Sequence, residues 1–272
     1  MSREAFLVEG EGGDRFCLLT RAHAPVRGSM LYVHPFAEEM NKSRRMAACA
    51  SAAFADRGWN VLQPDLFGCG DSAGAFGEAT WQRWIEDVDR AWTWLCTHCP
   101  GPHLLWGLRA GALLLSDWLA IVGHRAPLLL WQPVVSGKQH LAQFLRLKAA
   151  GEMLADADGA QAVARVRAEL AAGRAVEIAG YEIAPALAEG LSAAALRLPP
   201  GARGPIAVLE TAMGDLRQVS PALDRLVREW RGAGHDVGAD TASGPPFWQT
   251  LEIEVAPDLV ARSLAWLDTS AA

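Results

Sequence analysis

No apolar stretch of this 272-residue chain reaches the roughly 18 residues that a membrane-crossing helix needs, so the sequence predicts a protein that does not span a membrane. It also has no Lys/Arg cluster, and its net charge is -6 at pH 7. Phosphate neutralisation requires a basic face, so nucleic acid is excluded as a partner. The opening residues Met1-Ser2-Arg3-Glu4-Ala5 lack the apolar region and cleavage site of a secretion signal, which predicts a cytoplasmic location. The five cysteines, Cys17, Cys49, Cys69, Cys96 and Cys99, are odd in number and have no framework spacing, which fits reduced thiols. Cys96-Thr97-His98-Cys99 is followed by no second ligand pair at a usable spacing, so neither a metal site nor a cofactor is expected.

What is present suits one large domain, or a core with an inserted subdomain, long enough to bury a sizeable core. Hydrophobic residues make up 51% of the chain and mean hydropathy is +0.09, so the apolar residues are spread in a globular pattern. The 11 tryptophans are expected mostly in packing, with one or two on a pocket wall.

One stretch organises the rest. Leu104-Leu105-Trp106 runs into Gly107-Leu108-Arg109-Ala110-Gly111 and then into an apolar helix. This strand, sharp turn and helix resembles the nucleophile elbow of the α/β-hydrolases, with Arg109 where the serine should stand. Other segments agree. Residues 5–9 and 15–20 predict an opening hairpin, and Ser29–Val33 a buried strand ending at His34-Pro35-Phe36. Since Pro35 has no N–H, the Phe36 amide is the expected oxyanion-hole donor beside that of Ala110. Asn41–Gly58 has helical spacing, and Trp59–Pro64 is a strand leading into Asp65-Leu66-Phe67-Gly68-Cys69-Gly70-Asp71-Ser72, a glycine loop of the kind that borders such sites. Thr80–Cys96 is an amphipathic helix with Trp81, Trp84, Ile85, Val88, Trp92 and Leu95 on its core face.

After the strand at 126–137 the composition turns alanine-rich. Helices are expected over Gln139–Leu154 and Ala160–Ala172, a short strand over Ala175–Ile178 and a helix near Pro185–Ala195. An insertion here reads as a helical lid over 138–200, the core being 1–137 and 201–272; the alternative is a set of helices packed on an edge. Pro205–Glu210 is then a core strand, Ser220–Gly232 a helix, His235–Ala239 the last strand and Ala256–Leu267 the closing helix.

The catalytic set should appear as Ser, acid, His in chain order. Arg109 stays protonated and cannot be a nucleophile. Asp215 matches the acid position, with Glu210 as runner-up. The loop after the last strand, Ser243–Gln249, contains no histidine, and His235 falls at the wrong end of its strand. Two readings of Arg109 stay open. It binds a ligand carboxylate or phosphate, aided by the helix N-terminus, or it pairs internally with Glu38, Glu39, Glu210 or Asp215. Cys69 or Ser72, with His34 or Asp71 as base, is a further nucleophile candidate. Ligand contacts are expected at Arg109, Ala110, Phe36, His34, Phe247 and Trp248.

The strings Tyr32–Arg44, Pro64–Ser72, Trp106–Gly111, Trp131–Lys138 and Gly244–Gln249 together resemble the exosortase A system-associated hydrolase 2 family over nearly the whole chain. That resemblance implies an α/β-hydrolase fold with a mostly parallel sheet, a bacterial protein, and a functional link to the exosortase and exopolysaccharide system. It also implies a nominal hydrolase of acyl esters or thioesters. The alternative is a non-catalytic pseudohydrolase that holds a small acyl or anionic ligand, or a partner, with Arg109 as anchor.

Overall fold

The structure is a computed structural model that describes residues 2–23, 25–123, 126–153, 159–198, 204–214 and 218–270. In chain order the elements begin with β1 (Arg3–Val8), β2 (Arg15–Thr20), β3 (Gly28–Val33), α1 (Glu38–Asp56), β4 (Trp59–Pro64) and α2 (Trp81–His98). Next come β5 (His103–Leu108), α3 (Ala110–Val122), β6 (Leu128–Trp131), α4 (Gly137–Met153), α5 (Gly159–Ala171), β7 (Val176–Ile178) and β8 (Tyr181–Ile183). The chain closes with α6 (Pro185–Ala193), β9 (Ile206–Ala212), α7 (Pro221–Gly232), β10 (Val237–Ser243) and α8 (Pro257–Ser270).

Eight strands form one sheet in the order β1-β2-β4-β3-β5-β6-β9-β10. β1 and β2 join antiparallel, β2 meets β4 antiparallel, and every later pairing is parallel. Every residue of β3 and of β6 is buried, as expected of parallel strands covered on both faces. Successive side chains then serve two cores. Leu31 and Val33 face the layer that contains α2, α3 and α7, whereas Met30 and Tyr32 face the layer of α1 and α8. The tryptophan stripe of α2 is core, with Trp84 donating its indole N–H to the Phe67 carbonyl at 3.0 Å.

Helices α4, α5 and α6 and the β7–β8 hairpin are inserted between β6 and β9, and Val176, Ile178, Leu187 and Leu191 extend the α2/α3 core into this insertion. Two segments differ from the sequence expectation. The single short strand near Ile178 is a hairpin, because Ala179 and Gly180 both take positive φ (50° and 83°), the turn that matches strand twist. The last strand starts at Val237 and runs to Ser243, its length set by pairing with β9 from Val237↔Ile206 to Ser243↔Ala212 and not by its weak apolar alternation.

Gly111 sets how near α3 comes to β3. A Cβ there would lie 2.2 Å from the Val33 carbonyl oxygen and 2.8 Å from that of His34, both backbone atoms that cannot swing aside. Gly111→Ala is therefore expected to cost about 1–3 kcal/mol or more by forcing α3 off the sheet, measured as a lowered urea midpoint. Unchanged stability would mean that this approach is looser than the geometry states.

Candidate functional site

Two neighbouring parallel strands, β3 and β5, end in the same uncommon way. Ala37 (φ 51°, ψ -128°) precedes α1, and Arg109 (φ 54°, ψ -120°) precedes α3. Such backbone costs a non-glycine residue about 1–3 kcal/mol and persists only where its surroundings over-determine it. At Arg109 they do: its N–H donates to the Trp131 carbonyl at 3.0 Å, and its carbonyl accepts from Ala112 at 3.1 Å and Val134 at 3.3 Å. Leu115 and Ala112 crowd Gly107 from the other side, so both glycines of the turn are needed.

The two turns are tied together through their side chains. Glu39 lies in the first turn of α1, a place that favours carboxylates. Arg109 donates from Nε to both Glu39 oxygens (3.2 and 3.3 Å) and from Nη2 to Oε1 at 3.0 Å. Both side chains are 15% exposed. Trp248 lies against the guanidinium, 5.1 Å from ring centroid to Cζ, and is itself buried. Beside this pair, His140 of α4 is 6% exposed, with Nε2 3.9 Å from Glu39 Oε2. Among the described residues neither of its ring nitrogens has a hydrogen-bond partner. Burial pushes its pKa below the ordinary histidine range; Glu39 pulls it up and Arg109 pushes it further down. Arg109, Glu39, His140, Phe36, Phe144 and Gln249 line a pocket of about 130 Å³.

The expected site residues do not all converge there. Phe36 and Arg109 line the pocket, Ala110 is buried at the start of α3, and among the described residues the amides of Phe36 and Ala110 have no hydrogen-bond partner. His34 borders a different cavity of about 190 Å³ between α1 and β4. Its ring is fully used: Nδ1 donates to the Pro35 carbonyl at 2.8 Å and Nε2 accepts from the Leu66 amide at 3.3 Å. Burial pushes its pKa down, so it braces two loops as a neutral imidazole. Phe247 was expected as a ligand wall but is fully buried in the α1/α8 core against Trp131 and Trp248. Glu210 accepts from the Ser220 amide and hydroxyl and from Gln132, so it anchors the approach to α7. Asp215 lies outside the described residues.

The alternative nucleophiles are buried or hydrogen-bonded elsewhere. Cys69 is buried, and burial, with Asp65 and Asp87 adding to it, pushes its thiol well above the ordinary cysteine range. Ser72 donates to the Asp65 carbonyl at 2.5 Å and accepts from the Phe16 amide at 2.9 Å. The Asp71 side chain is exposed, and its amide caps Asp65 at 3.0 Å. Among the described residues no cluster of three or more His, Cys, Asp or Glu could hold a metal, and no helix is long and apolar enough to cross a membrane. His140 carried no signal in the sequence: a lone histidine on a helix of the insertion is indistinguishable from a packing residue.

A mostly parallel eight-stranded sheet covered by helices, with a strand–elbow–helix at its centre, is the α/β-hydrolase fold. Solved structures agree. Est1E from Butyrivibrio proteoclasticus, determined with ferulic acid bound, superposes with a TM-score of 0.71 at 12% identity, over 98% of this chain and 99% of that one. The mouse alpha/beta hydrolase domain-containing protein 10 gives 0.63 at 14% identity over 97% and 98%. The thioesterase domain from the curacin biosynthetic pathway gives 0.56 at 15% identity over 99% and 100%. No protein-family model and no curated protein sequence matches the chain.

Two outcomes follow from the site. Arg109→Met keeps the strained backbone but strands the Glu39 carboxylate, and should lower stability by about 2–4 kcal/mol. Adding Glu39→Gln should restore at least half of that loss in a double-mutant cycle, whereas additive effects would show the pair to be energetically idle. Of the thiols, exposed Cys49 and Cys96 should react with a disulfide reagent under native conditions, while Cys17, Cys69 and Cys99 react only on unfolding.

Proposed function

We infer that this chain is a non-catalytic α/β-hydrolase-fold protein that uses the cleft at its elbow for binding. The observation that carries this reading is the Arg109 guanidinium, seated where the fold's nucleophile belongs, paired with Glu39 and covered by Trp248. Covalent catalysis needs a nucleophile within hydrogen-bond reach of a base. Arginine supplies no nucleophile at any reachable pH. Trp248 stands in the loop that should carry the histidine, and His235 precedes β10, at the opposite end of that strand. His34 and Ser72 are already engaged, and Cys69 is buried. A carboxylate or phosphate ligand anchored on Arg109 would have to displace Glu39, so the pair is read here as the fixed floor of the cleft.

The segment 138–200 is read as a lid, supported by α4, which brings His140 and Phe144 over the elbow. An acyl-derived ligand class draws on the thioesterase domain among the structural neighbours and on the ferulic acid bound to Est1E. A link to the exosortase and exopolysaccharide system, as ligand source or partner, rests on the loop strings of the sequence.

The test is a turnover assay with short and medium acyl p-nitrophenyl esters and acyl thioesters, on the wild type and on Arg109→Ala, Cys69→Ala and Ser72→Ala. The expected rate is that of buffer alone for all four proteins. Turnover by the wild type that one of these variants abolishes would make the chain an enzyme and name its unconventional group.

A further inference from the structure

A buried polar atom without a partner costs about 1–3 kcal/mol, so each one needs an explanation. Among the described residues such side-chain atoms occur on Thr20, Ser43, Trp59, Trp106, Thr211, Thr241 and His140. His140 differs from the others in two respects. Both of its ring nitrogens are orphaned, and it lines the elbow pocket, which none of the other six does. A packing histidine would turn one nitrogen to a carbonyl, as His34 does with Pro35. Here the neighbouring rings are Phe36 (6.1 Å between centroids) and, beyond it, Phe144, 5.1 Å from Phe36, and these offer no acceptor. Glu39 Oε2, at 3.9 Å, is too far for a hydrogen bond and already receives Arg109 Nε.

The charge balance of the pocket narrows what could complete this ring. The Arg109 cation is compensated by Glu39, and Glu38, the remaining charged group on the wall, is paired with Lys42 at 3.7 Å. An anionic ligand would therefore find no uncompensated cation on the wall. A neutral imidazole presents one N–H donor and one bare nitrogen acceptor. The matching partner is an uncharged group that can both donate and accept.

We propose that the elbow pocket binds a small uncharged molecule, an alcohol or a primary carboxamide, through hydrogen bonds to the His140 imidazole, with its carbon skeleton against Phe36 and Phe144. This rests on the reading of the cleft as a binding site and adds the chemistry of its ligand. The pocket, about 130 Å³, takes a few heavy atoms of such a molecule.

The test pairs molecules alike in shape and different in charge: propionamide with propionate, and propylene glycol with lactate. Protein carrying isotope-labelled histidine is titrated with each while the imidazole nitrogen resonances are followed. The amide and the diol should move the His140 nitrogens with saturation, and their anionic counterparts should not. His140→Phe, which keeps ring volume and removes both orphaned atoms, should weaken propionamide binding tenfold or more, with a Tm equal to or above that of the wild type. Propionate binding in preference to propionamide, or His140 resonances unmoved by all four molecules, would overturn the proposal. Since the wild-type resonances answer the question directly, the test does not depend on the variant folding. Buffer-rate turnover together with unmoved resonances would sink the ligand assignment alone, whereas ester turnover would sink the non-catalytic reading.

Discussion

A guanidinium held in a turn that resists every side chain needs something to hold it, and Glu39 does so here. The pair joins two strained turns at the ends of adjacent strands, β3 and β5, and each turn starts a helix on an opposite face of the sheet. The carboxylate is favoured where it lies by the α1 N-terminus, the guanidinium by Trp248, and neither charge is left to bulk water. The wall of the elbow pocket and the environment of His140 both follow from where that pair settles.

Fold and site were legible in the sequence to different degrees. The elbow was readable because its glycines obey local rules. Gly107 and Gly111 mark close approaches of backbone, and such approaches leave their trace at fixed spacing. The alternation of buried strands and amphipathic helices likewise gave the parallel order of the core. The partner of Arg109 could be narrowed to four carboxylates and no further, because positions 39 and 109 meet only through the sheet order that makes β3 and β5 neighbours. That order is a property of the whole chain.

The differences at single residues have a common cause. His34, Phe247, Cys69 and Ser72 all lie in loops at the end of the sheet where a site is expected, and position along the chain assigns them to it. Side-chain direction decides otherwise: His34 turns to Leu66, Phe247 turns into the core against Trp131, and Ser72 turns to Phe16. His140 shows the converse. It comes from the insertion, where only the three-dimensional closure of α4 over the elbow gives it a neighbour of consequence.

The ion pair between the two turns also bears on history. Placing serine at position 109 would leave Glu39 without its cation beside a buried imidazole. Replacing Trp248 first would uncover the guanidinium. Each single change in this cluster therefore lowers stability before a second could compensate it. The arrangement works as a ratchet: guanidinium, carboxylate and covering ring are exchanged together or not at all.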